Sequence, residues 1–182
     1  MPKNRRLYKF SIRLLILNPS SHNSNIMKQP ESLELVAEFH KTFKHPIVAQ
    51  PSIPSENRCN LRVALIAEEL KELEVAILQK DIVGVADALC DIQYVLSGAI
   101  LEFGLGEKFK ALFDEVQRSN MSKACKSEDE AKATVEHYMK KDGTVCYYQK
   151  EGDLWLIYRT SDNKTLKSIN YSPANLDKIL NS

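Results

Sequence analysis

From Ser32 the apolar positions follow a helical period, with Leu33, Val36, Ala37 and Phe39 on one side and Ser32 placed to cap them. This predicts a first helix ending near Lys44. The next stretch, HPIVAQPSIPSEN, has prolines at 46, 51 and 54 and cannot be regular helix, so it is expected to cross the fold as a loop. Ser55 then caps a long helix from about Glu56 to Gln79, and Asp81 opens another that runs to about Phe103. GLGEKF stops the chain and restarts it as a fourth segment, Lys108 to about Asn120. The pattern predicts an all-α fold, an antiparallel bundle core of four to five helices.

After Ser122 the texture changes. SEDEAKATVEHYMKK reads as a capped amphipathic helix and Asp142-Gly143 as a turn, and TVCYYQ and LWLIYR are two β-rich runs separated by KEGD. A helix plus β-hairpin appendage at 126–168 is therefore expected on a bundle made of 29–125 and 169–182. The tail NYSPANLDKIL closes with a proline turn and a short helix.

The helical phase gives chemical interest to the stretch AEELKELE. Advancing about 100° per residue, Glu68, Glu69 and Glu72 fall on the arc of Leu61, Leu65 and Ala76, while Lys71 and Glu74 fall on the opposite side. Leu65, Glu69, Glu72 and Ala76 are spaced 4, 3 and 4, so the acids occupy slots usually filled by apolar residues. On the following helix, Val85, Leu89, Ile92 and Leu96 form the expected core stripe, and Asp87 and Asp91 share another face. A helix apolar nearly all round is expected to be buried nearly all round, which would enclose both aspartates. Five buried carboxylates repel one another and need a positive centre between them. Hard divalent cations take oxygen ligands, which points to Mg²⁺, with Mn²⁺ as the alternative, held by Glu68, Glu69, Glu72, Asp87 and Asp91. A di-iron bundle would need Glu-x-x-His pairs, and the histidines at 22, 40, 45 and 137 provide none.

Composition sets limits on partners. The formal charge of +1 on 182 residues argues against bulk attraction to nucleic acid polymers or anionic membranes. Cys59, Cys90, Cys125 and Cys146 are scattered without a CxxC pair, so reduced thiols in a cytoplasm are expected, not zinc or disulfides. Near the N-terminus the apolar run Phe10 to Leu17 is interrupted by Arg13, lacks a small-residue cleavage site and is too short to span a membrane. Residues 1–28 are expected to be a disordered extension, with Met27 offering a later start.

An anionic ligand is addressed by QRSNMSK, where Arg118 and Lys123 flank Asn120 and two serines. Cations and hydroxyls at a helix end also complement the helix dipole. Beside an acidic metal site they read as a phosphate clamp. His45, in the proline loop, is a candidate nucleotide contact, and Gln93 and Tyr94 are candidates for base or ribose.

The blocks LIAEELKELEVAI, DIVGVADALCDIQYVLSGAILEFGL, FDEVQRSNMSK and NYSPANLDKIL together resemble the all-α nucleoside triphosphate pyrophosphohydrolases, the MazG-like superfamily, and within it the phosphoribosyl-ATP pyrophosphohydrolase-like proteins. The resemblance covers about residues 33–125 plus the tail. It implies that Glu69 and Glu72 of the EExxE block bind Mg²⁺, with Glu68 a ligand or the group orienting the attacking water, so Glu68 and Glu69 are the expected catalytic pair. Many members carry Glu-x-x-Asp on the second helix; Asp91 matches that aspartate, but Ala88 replaces the glutamate and Asp87 stands one position earlier. The resemblance further implies substrate contacts from Arg118, Asn120 and Lys123, a house-cleaning role on nucleotides, and a homodimer or tetramer. The alternative is a non-catalytic nucleotide- or partner-binding bundle.

Overall fold

A computed structural model describes residues 30–182 of the chain; the extension expected at 1–28 lies outside the described residues. Six α-helices and one β-hairpin are present among the described residues, an all-α core with a hairpin appendage. In chain order these are α1 (Ser32–Phe43), α2 (Glu56–Gln79), α3 (Ile82–Glu102), α4 (Phe109–Met121), α5 (Glu128–Asp142), β1 (Cys146–Glu151), β2 (Leu154–Arg159) and α6 (Leu176–Leu180). A single 3₁₀ turn, Gly106–Lys108, leads into α4. The chain forms two compact units that part within α4: one runs up to Arg118 and includes Ala174–Ser182, the other is Ser119–Pro173.

In the helical unit, α2 and α3 form an αα-hairpin across the two-residue link Lys80–Asp81, and α1 packs on α3. The Asp81 carboxylate accepts from the Val83 amide at 3.0 Å, as its capping position predicts. Two expected caps differ. Glu31, not Ser32, precedes the first helical residue, and Ser55 holds the N-cap position of α2 without a side-chain bond. Both helices end on a lysine in the left-handed region, Lys44 at φ 61° and Lys80 at φ 57°, a conformation glycine would adopt with less strain.

The proline segment is ordered by the end of α3. Val48 donates to the Leu101 carbonyl at 3.0 Å and Ser52 to the Phe103 carbonyl at 3.1 Å. Gly104, at φ 69°, lies so close beneath this loop that a Cβ there would stand 2.0 Å from the Gln50 carbonyl oxygen. Only glycine allows the crossing.

The core stripe expected on α3 is corrected. Leu89 is 51% exposed and Leu96 40%, and the buried positions are Ala88, Ser97, Gly98, Ile100, Leu101 and Glu102. The all-round apolar character of α3 does not mean all-round burial: α1 and α2 pack on it and the proline segment meets its end, yet Leu89 stays open. By length and composition α3 also suits a membrane span, but it carries Asp87, Asp91 and the buried Glu102 and packs in an αα-hairpin.

The second unit has its own small core of Cys125, Ala131, Cys146, Ile157 and Leu166, with Val135, Tyr138, Tyr148 and Trp155 packed around it. β1 and β2 are antiparallel, registered from Cys146 opposite Arg159 to Glu151 opposite Leu154. All four cysteines are free, and burial pushes the Cys146 thiol up, with Asp142 adding to the shift. The Ser127 hydroxyl caps α5 by accepting from the Glu130 amide at 3.2 Å.

Candidate active site on the α2–α3 seam

The hairpin sets a strict register between two rows, each spaced 4-3-4-3-4: Arg58, Arg62, Leu65, Glu69, Glu72 and Ala76 on α2 against Glu102, Gly98, Val95, Asp91, Ala88 and Gly84 on α3. The seam thus consists of layers that differ in chemistry from one turn to the next.

At the link the layer is small. A Cβ built on Gly84 stands 3.1 Å from the Ala76 Cβ, so the helices approach closely there. At the far end the layer is charged. Arg58 and Arg62 both pair with the Glu102 carboxylate, with Arg58 Nε donating at 3.0 Å. Glu102 is 1% exposed and Arg62 7%. Burial pushes the Glu102 carboxyl up, but hydrogen bonds and charge from the two arginines outweigh it and hold the group below its ordinary value.

His40 completes this network. Its Nδ1 donates to the Pro46 carbonyl at 2.8 Å, which leaves Nε2 to accept from Arg62 at 3.3 Å, so the ring is neutral. Burial holds its pKa below the usual imidazole range, and the Arg62 and His45 charges act in the same direction. A Cβ on Gly98 would stand 2.6 Å from Arg62 Nη1 and 3.1 Å from His40 Nε2. Gly98→Ala is therefore expected to displace the Arg62 guanidinium and cost about 1–3 kcal/mol, read by urea unfolding; an unchanged midpoint would show that Arg62 relaxes freely. Sequence reasoning missed this network. Its signal was arginines four apart on the α2 seam and one glutamate ending an apolar helix.

Between these ends sits the acidic layer. The Glu69 carboxyl is raised above its ordinary value, first by burial and then by the charges of Asp91, Glu72, Glu68 and Asp87. The charges of the four other sequence-predicted carboxylates thus reach Glu69. The expected enclosure is corrected: Glu69 is half-buried, while Glu68, Glu72, Asp87 and Asp91 are exposed. The acids stand at the open edge of the seam, where solvent reduces their repulsion. Glu68, Glu72 and Asp87 line a cleft of about 450 Å³ that also includes Lys71, Asp81 and Gln79. As donors the five are hard oxygens suited to Mg²⁺ or Mn²⁺. Among the described residues no three of them form a group that could hold a metal ion. The register places Ala88 opposite Glu72, so the acidic layer has a gap on its α3 side.

One turn from the acids, a second cavity of about 240 Å³ is lined by Phe39, His45, Tyr94, Leu65, Val95 and Arg62, among others. His45 stacks on Phe39 with ring centroids 5.7 Å apart and planes 9° apart, and Tyr94 meets Phe39 edge-on at 5.5 Å. Arg62 Nε is buried there without a hydrogen-bond partner. Gln93 instead bonds Ser97 and Ser32.

The clamp candidates divide between the units. Arg118 forks onto Glu115 at 2.7 and 2.9 Å, which, with the Asn175 amide, holds the Glu115 carboxyl down to about 2. Lys123 lies in the other unit, its ammonium on Asn120 Oδ1 at 2.8 Å.

Comparison with known proteins accounts for this seam: residues 36–120 match the model of the phosphoribosyl-ATP pyrophosphohydrolase family, within the MazG-like all-α superfamily. Residues 36–120 are thus similar to that family. The assignment places the chain in the pyrophosphohydrolase class in general. The matched segment holds both walls of the acidic layer, the aromatic cavity and Arg118. An uncharacterized protein of Acanthamoeba polyphaga mimivirus is 25% identical across 81% of this chain and 94% of its own length, a likeness that runs beyond the pyrophosphohydrolase segment.

Proposed function

We propose that the protein hydrolyses a nucleoside triphosphate or related nucleotide between the α and β phosphates, releasing a monophosphate and pyrophosphate, as a nucleotide house-cleaning enzyme of the cytoplasm. The observation that carries this reading is the convergence of four carboxylates on Glu69 in a segment of the pyrophosphohydrolase family. Glu69, Glu72, Asp91 and Asp87 would hold Mg²⁺, or Mn²⁺ in its place, which when bound neutralises the polyphosphate and acidifies a water. Glu68 would orient that water, with Glu69 beside it as the second catalytic carboxylate. Arg118, in the unit of the acids, would take a departing phosphate, and Asn120 and Lys123 are phosphate contacts proposed for their own unit. His45, Phe39 and Tyr94 form a stacking wall for the base. Leu65 and Glu69 are one turn apart, about 6 Å along the helix, which suits a sugar between the base cavity and the acids.

A panel of nucleotides with Mg²⁺, scored for pyrophosphate release, tests the reading. Release from at least one nucleotide is expected, and release from none would favour the alternative, a nucleotide-binding bundle whose Ala88 gap has ended turnover.

We further propose that a second copy of the chain covers the free sides of α2 and α3. Leu78 and Ile82 are each 76% exposed and Val83 74%, a contiguous apolar surface at the hairpin tip. Sedimentation should find a dimer or tetramer for the unaltered protein, and Leu78→Glu with Ile82→Glu should yield smaller species. A monomer from the unaltered chain would end this proposal.

A further inference from the structure

The helix-hairpin unit does more than decorate the chain. On α5, Glu130, Thr134 and Tyr138 repeat every four residues and form a polar stripe along one side. Each holds part of the segment that follows the hairpin. Tyr138 Oη accepts from the Lys167 amide at 3.2 Å, Glu130 accepts from the Ser168 hydroxyl, and Thr134 Oγ1 accepts from the Ile169 amide at 3.2 Å. The other side of this segment is stitched to the RSNMSK block. The Ser168 amide donates to the Lys123 carbonyl at 3.1 Å, the Ser172 amide to Ser122 Oγ at 3.0 Å, and the Tyr171 and Ser119 hydroxyls bond at 3.0 Å.

This brings the chain at Lys167 and Ser168 against the backbone of Lys123. Lys167 Nζ lies 4.0 Å from the centroid of the Tyr171 ring. The phenol of Tyr171 is held below its ordinary pKa, first by the Ser119 hydrogen bond and then by the nearby charges of Lys167 and Lys123. The Lys123 ammonium itself rests on Asn120 Oδ1 at 2.8 Å. Among the described residues neither lysine forms an ion pair with a carboxylate, and Glu130, the acid on the facing side of α5, is occupied by Ser168 and by the Lys126 amide. Two lysines held together without a carboxylate are suited to an anion with several oxygens, since each ammonium binds phosphate as a mobile point charge.

We propose that Lys167 and Lys123 form a paired binding site for a diphosphate group, and that α5 and the hairpin serve to position Lys167 for it. This rests on the hydrolase reading for the identity of the ligand as the β and γ phosphates, but the binding itself can be measured without turnover. Lys167 is exposed, so its replacement leaves the fold intact.

The test uses the full chain and inorganic pyrophosphate with Mg²⁺, by calorimetry. Lys167→Ala and Lys123→Ala are each expected to weaken binding roughly ten- to a hundredfold, as loss of a charge-assisted bond does, with unchanged melting temperature and partial retention in Lys167→Arg. Tyr138→Phe, which removes only the hydroxyl that fixes the Lys167 amide, is expected to weaken it by roughly three- to tenfold. Pyrophosphate binding by Lys167→Ala within about twofold of the unaltered protein, or no binding by the unaltered protein, overturns the proposal. Binding that is lost in Lys167→Ala, in a protein that releases pyrophosphate from no nucleotide, would sustain the lysine pair and overturn the hydrolase reading alone.

Discussion

Replacing Glu69 by Gln is expected to lower pyrophosphate release by roughly 10²–10⁴-fold and, at neutral pH without divalent metal, to raise the melting temperature. Both effects have one cause. Glu69 is held above its ordinary carboxyl pKa of 4.5 by burial and by four neighbouring acids. A carboxyl whose folded pKa is raised contributes stability below its unfolded pKa, and that contribution is lost as pH rises through the folded value. Glu69's share of the metal-free protein's stability should therefore be lost as pH rises through its raised value, and glutamine removes that loss along with the charge. Mg²⁺ should raise the melting temperature of the unaltered protein more than that of the variant. Turnover within about tenfold of the unaltered enzyme, or a lower melting temperature at pH 7, would remove Glu69 from the centre of the site.

Glu102→Ala should be the most destabilising single change, at about 3–5 kcal/mol, because it leaves the Arg62 guanidinium buried without its carboxylate. Urea unfolding measures it. The paired replacement Arg62→Met with Glu102→Leu should recover most of the loss, since an apolar pair avoids the desolvation of both ions. The pH dependence here runs opposite to that of Glu69. The Glu102 carboxyl is held below its ordinary value, so its contribution is present above the unfolded glutamate pKa and disappears as pH falls through the lowered folded one. A loss under about 1 kcal/mol for Glu102→Ala would mean that solvent reaches the network.

The helices were legible because their limits are chemical. Prolines 46, 51 and 54 exclude helix, Asp81 caps α3, and Gly143 ends α5 in the left-handed region at φ 72°. The shared side of Glu69 and Glu72 on α2 was also legible, since it follows from their 4-3-4 spacing with Leu65 and Ala76. Their burial was not. Helical phase says which residues share a side, but not how many neighbours cover that side, and Leu89 lies open although α1 and α2 both pack on α3. The Arg62–Glu102–His40 network escaped for a related reason: its members are far apart in sequence and meet only through the register. Lys167 was hidden further, because its place beside Lys123 depends on a stripe of α5 hydroxyl and carboxylate groups that reads in sequence as an ordinary solvated face.

The link between α2 and α3 is two residues long, and Lys80 already occupies a strained left-handed conformation within it. The chain at the tip of the hairpin therefore works as an indexing pin. One added residue there would turn α3 by about 100° relative to α2, taking Asp91 away from Glu69 and Glu102 away from Arg58 in the same motion. Chemistry at the acids and cohesion at the far end cannot be tuned separately by altering that link, so variation in this protein should be excluded from the length of its tip.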